Sequence, residues 1–73
     1  MIIFNAPIKR EFIINLLEEA NLDGITYQLV SQKGMELSFK TNAESEILAM
    51  KKAKELVKST EIGSVLYFQA KVV

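Results

Sequence analysis

Residues 35–41 carry the clearest alternation in the chain. Met35, Leu37 and Phe39 fall on one side of an extended chain, and Glu36, Ser38 and Lys40 fall on the other. Just before them stands Lys33-Gly34, a turn signal in which glycine supplies positive φ. Before that, residues 25–32 read as a partner strand, with Ile25, Tyr27 and Leu29 on one face and Thr26, Gln28 and Val30 on the other. Two such strands joined by a short turn make a β-hairpin with one wet face. An isolated hairpin is marginal in water. The rest of the chain must therefore extend the sheet and cover its dry side.

Two segments carry helical periodicity. In the first, Asn5 or Ala6 caps, Pro7 occupies the first turn, and Ile8, Phe12, Ile13, Leu16, Leu17 and Ala20 form an apolar stripe. Asn21-Leu22-Asp23-Gly24 ends it with residues that tolerate left-handed backbone. The second is expected to open at Thr41-Asn42-Ala43-Glu44, with Thr41 and Glu44 at capping-box spacing and Asn42 as the rival cap, and to run to about Ser59. Its buried stripe is expected to be Ala43, Ile47, Met50, Ala53, Leu56 and Val57. Glu44 and Glu46 at its start and Lys58 at its end suit the helix dipole. Ile14 and Leu48 fall outside both stripes and are expected to face outward.

Apolar runs at the two ends, residues 1–5 and 64–73, read as the remaining strands. The whole of residues 1–73 is then one α+β domain with the order β-α-β-β-α-β. That order resembles the ferredoxin-like two-layer sandwich: right-handed crossovers place both helices on one face of an antiparallel sheet in the order 4-1-3-2. The first strand is short. If it fails to pair, the alternative is a three-stranded αββαβ arrangement. The resemblance is one of topology, and topology does not assign a function.

Composition excludes more than it assigns. There is no cysteine and no histidine, which removes disulfides and makes a zinc or soft-metal site untenable; no metal and no cofactor are expected. Nine basic residues balance nine acidic ones, so no global field draws the chain to nucleic acid or to an anionic membrane. No apolar stretch approaches the roughly 20 residues of a membrane span. A cytoplasmic location is the expectation, and the richness in Ile, Lys, Glu and Asn suits an AT-rich bacterial genome. A chain below about 70–80 residues gains little from its core alone. With disulfides and metals removed, the remaining support is a partner subunit.

The outer strands suggest where it would bind. They are apolar on both sides, and a strand of that kind is usually covered on both sides. In the order 4-1-3-2 the first and last strands are neighbours, and a homodimer is expected through that side of the sheet or through the edge of the last strand, with Ile3, Val65, Tyr67 and Val73 as the self-association residues. The alternative interface is basic. Lys51, Lys54 and Lys58 share one flank of the second helix and suit an anionic partner, nucleic acid included. Glu55 lies within reach of that flank, and the aromatic pattern of RNA-recognition sheets is missing, so nucleic acid is disfavoured.

Nothing points to catalysis. Glu18 and Glu19 are adjacent on a helix and diverge by about 100°. Arg10 stands near a helix start, as in acylphosphatases of this topology, but their glycine-rich loop has no counterpart here. The expectation is a small non-enzymatic interaction or regulatory module that self-associates.

Overall fold

The computed structural model describes residues 1–73. It contains β1 (Ile2–Asn5), α1 (Arg10–Glu19), β2 (Tyr27–Lys33), β3 (Glu36–Thr41), α2 (Glu46–Ser59), a single 3-10 turn (Gly63–Val65) and β4 (Gln69–Val72). The sheet runs β2-β3-β1-β4, which is the expected 4-1-3-2 read from its other edge. β1 is antiparallel to both β3 and β4, so the first strand does pair, at the centre of the sheet, and the three-stranded alternative is ruled out. The fold is the α+β, ferredoxin-like two-layer sandwich.

The strand pattern decides which face the helices cover. Directly paired residues point to the same side of a sheet. Ile2 pairs with Phe39 and Val72, and Phe4 pairs with Leu37 and Ala70. These residues meet Ile13 and Leu17 of α1 and Ala49, Ala53 and Val57 of α2 in one core. Phe4 is its centre, edge-on to Phe39 at 5.9 Å and stacked on Phe68 at 5.7 Å. Each large apolar side chain fully buried in this way contributes about 1.5–3 kcal/mol. The small Ala49 and Ala53 let α2 approach the sheet closely.

Element boundaries differ from the sequence reading in ways that have identifiable causes. α1 begins at Arg10, not near Pro7. Ala6 is still buried and its N–H bonds to the Met35 carbonyl at 2.9 Å, so the chain leaves the sheet late. Lys9 then turns with φ 59°, and Ile8 is left exposed. α2 begins after Ser45, whose hydroxyl accepts from the Leu48 N–H at 3.2 Å. Asn42 does not cap it, because its side chain accepts from the Thr26 N–H at 2.9 Å and donates to the Gly24 carbonyl at 2.8 Å. The later start rotates the buried stripe onto Ala49 and exposes Ile47. Leu48 is exposed as expected, whereas Ile14 packs against the core. Met35 sits in the hairpin turn and is exposed, so the dry face of β3 is Leu37 and Phe39 alone.

The largest change is in the last strand. Residues 64–68 are not in the sheet. Gly63–Val65 forms the 3-10 turn, and β4 proper starts only at Gln69. Gly63 makes this possible: a Cβ there would overlap the Val57 carbonyl and crowd the Thr60 hydroxyl.

Candidate functional site

Cross-strand pairing also defines the face that no helix covers. One row across it reads Ser31, Ser38, Ile3, Lys71, and the next reads Lys33, Glu36, Asn5, Gln69. This face is polar. Ile3 is its one apolar side chain in these rows, and Ser38 and Lys71 flank it. The expected cluster of Ile3 with Val65 and Tyr67 does not form. Val65 lies in the 3-10 turn outside the sheet. Tyr67 and Val73 stand at opposite ends of β4, six residues or roughly 20 Å of extended chain apart. All three are well exposed, Val65 at 83%, Tyr67 at 71% and Val73 at 73%. Tyr67 faces the open side with Gln69, whose amide Nε2 donates to its Oη at 3.1 Å.

The two edges of the sheet differ. On β2 the ladder is interrupted: Leu29 pairs with Phe39 but Ser31 pairs with Ser38, so Val30 is an extra residue in a β-bulge. The Leu29 N–H, which points away from β3, donates to the Glu18 carboxylate of α1 at 3.4 Å. A bulge and an occupied donor both disqualify an edge as a template for another strand.

β4 has neither device. Its hydrogen-bonding phase follows from its end, where the Val73 N–H bonds to the Met1 carbonyl at 2.9 Å and the Val73 carbonyl accepts from the Met1 amine at 2.9 Å. Hydrogen-bonded and non-bonded pairs alternate in an antiparallel ladder. Lys71 and Gln69 therefore bond inward to β1, and the N–H and C=O groups of Ala70 and Val72 point outward. A depression of about 290 Å³ lies along this edge, lined by Ile3, Asn5, Lys54, Phe68, Gln69, Ala70 and Lys71.

The lysine flank is present on α2. Lys51, Lys54 and Lys58 line one shallow depression, with Glu55 among them. Lys52 is instead drawn to Asp23, 3.9 Å away. Arg10 does not face an open helix end, because its Nη1 donates to the Ala6 and Pro7 carbonyls at 3.2 and 2.7 Å. The depression that brings Asp23 and Glu55 together is shared with Lys52 and open to solvent. No three carboxylates gather closely enough to hold a metal ion, and no helix is long and apolar enough to cross a membrane.

No protein-family model, no curated protein and no solved structure matches the chain. The functional reading rests on the geometry of its own surfaces. The edge of the last strand is one of the two association surfaces the sequence offers, but composition and periodicity do not say which of its residues present free backbone groups. Its signal is the phase of the ladder and the contrast with β2.

Proposed function

We propose that the chain is a non-enzymatic interaction module that works as a homodimer, joined edge to edge through β4. The observation that supports this is the asymmetry of the sheet: the β2 edge is closed by the Val30 bulge and Glu18, and the β4 edge presents free backbone donors and acceptors. Strand addition to such an edge is a common recognition mode, in which backbone hydrogen bonds supply affinity. A two-fold pairing of β4 with itself consumes the only open edge on each copy, so assembly stops at two. β4 is short and carries Lys71, both features that limit runaway pairing. A seam built on a four-residue strand is expected to bury less than the roughly 1,200 Å² of stable complexes, so the proposed dimer is a weaker, concentration-dependent one.

The test is Ala70→Pro. Its N–H points outward, and edge positions with a free N–H are where strands admit proline. The unsubstituted chain is expected to show a sedimentation mass that rises toward the dimer between about 1 µM and about 1 mM, the span of weak association. Ala70→Pro is expected to stay monomeric with an unchanged circular dichroism spectrum. An unsubstituted chain that remains monomeric throughout this range contradicts the proposal.

The alternative, nucleic-acid binding through Lys51, Lys54 and Lys58, has less support. Glu55 interrupts that flank, and Tyr67 is the only exposed aromatic on which a base could stack.

A further inference from the structure

The edge-to-edge homodimer leaves open how the two β4 strands align, and the phase of the ladder restricts the answer. Outward-pointing residues must pair with outward-pointing residues, because only they can exchange backbone hydrogen bonds. Ala70 and Val72 are of this kind. Phe68 follows by alternation: Tyr67 is exposed, Phe68 buried and Gln69 exposed, so the extended pattern of β4 continues back through it. Three two-fold alignments then give useful overlap, centred on Gln69, Ala70 or Lys71.

Two of them carry a defect. Centring on Lys71 sets Lys71 directly against the partner's Lys71, and like charges opposed across a ladder are destabilising. Centring on Gln69 needs the Leu66 N–H, which is already bonded to the Gly63 carbonyl at 3.3 Å. It also sets Tyr67 against the partner's Lys71. Centring on Ala70 has neither fault. Ala70 pairs with the partner's Ala70, and Phe68 with the partner's Val72. Both kinds of pair exchange full sets of backbone bonds. On the open face Lys71 lies beside the partner's Gln69, a neutral acceptor. Tyr67 lies against the partner's Val73.

We infer that two copies pair through β4 in the alignment centred on Ala70, which makes a continuous eight-stranded sheet and packs Tyr67 of each copy onto Val73 of the other. This inference rests on the homodimer reading above. It accounts for two exposed apolar side chains that lie too far apart to touch within one copy. The pairing brings them together twice, once at each end of the seam, with the polar Gln69 and Lys71 between. An aromatic against a β-branched residue is a favourable cross-strand pair.

Disulfide trapping tests the alignment, because the chain has no cysteine of its own. Tyr67 and Val73 are a non-bonded pair in this register, with Cα atoms about 4.5 Å apart, inside the range a disulfide spans. All the substituted positions are exposed, so the fold should tolerate the changes. An equimolar mixture of the Tyr67→Cys and Val73→Cys chains, oxidised mildly, is expected to yield the mixed covalent dimer as the main product, far above either self-linked species. Lys71→Cys alone and Gln69→Cys alone are expected to stay uncrosslinked. Strong self-linking of Lys71→Cys or of Gln69→Cys overturns the Ala70 alignment in favour of its neighbour while leaving the homodimer intact. So does a mixture that forms no mixed species although sedimentation shows a dimer. If the unsubstituted chain does not dimerise at all, the edge-to-edge reading itself has failed, a result that sedimentation reports separately from the trapping.

Discussion

At the scale of single residues, Tyr27 is the informative side chain of the core. It is buried, and its hydroxyl donates to the Ala49 carbonyl of α2 at 2.6 Å, tying the β2 edge to the opposite helix. Burial pushes its phenol above the ordinary value of 10.0. The sign of the consequence follows. The unfolded chain gives up this proton at about pH 10, and the folded chain holds it longer. Its contribution is therefore complete below pH 10 and is lost as pH rises through the raised folded value. Tyr27→Phe should cost about 1 kcal/mol at neutral pH, the net worth of one such hydrogen bond. The gap between the two chains should close as pH is raised beyond 10. Urea melts of both at neutral and alkaline pH measure it, and a gap that widens with pH would contradict this account of Tyr27.

At the scale of elements, the two edge strands show what could be read in advance and what could not. The alternation of Leu37 and Phe39 located β3 correctly, because a half-buried strand writes its geometry as a period of two. The same rule put Val30 on the wet face with Gln28. It gave no sign of the bulge, which is a property of two strands' relative register and not of either one. The apolar run Val65, Leu66, Tyr67, Phe68 reads as the start of the last strand. A continuous run has no phase, so nothing in it opposed that reading. The 3-10 turn is set by how closely Gly63 approaches Val57, a tertiary fact. For the same reason Val65 lies outside the sheet and away from half-buried Ile3, while Val65, Tyr67 and Val73 are exposed. The edge contrast predicts a specific failure. Deleting Val30 together with Glu18→Ala should straighten β2 and free the Leu29 donor. The dimer would then have an open edge on each flank and should grow further by strand addition. Light scattering would show mass rising past the dimer with time. Scattering that stops at the dimer would mean that something other than the bulge and Glu18 closes that edge.

At the scale of the whole molecule, a chain with no net charge can still have a charged seam. Nine cations and nine anions cancel at long range, so two copies approach without mutual repulsion beyond the Debye length of about 8–10 Å at ordinary salt. Within that distance the balance is local. The depression along the β4 edge is lined by Lys54 and Lys71 and by no carboxylate, and Glu46 at the Val73 end is held by the Met1 amine. Pairing two edges brings four ammonium groups to one seam, where the Ala70 alignment offsets Lys71 by setting it beside glutamine. The charge that remains opposes association and is exposed to screening. Raising the salt from about 50 mM to about 500 mM should therefore tighten the dimer, by roughly two- to five-fold for surface charges of this kind. The opposite edge provides a contrast. An interface built around β2, with Glu18 bonded at Leu29 and Lys33 at the end of the strand, would mix signs and should weaken or stay unchanged under the same titration. The salt dependence of the dissociation constant, measured by sedimentation, thus reports which edge is buried without any substitution: a constant that falls with salt fits the β4 seam, and one that rises assigns association to a surface of mixed charge elsewhere.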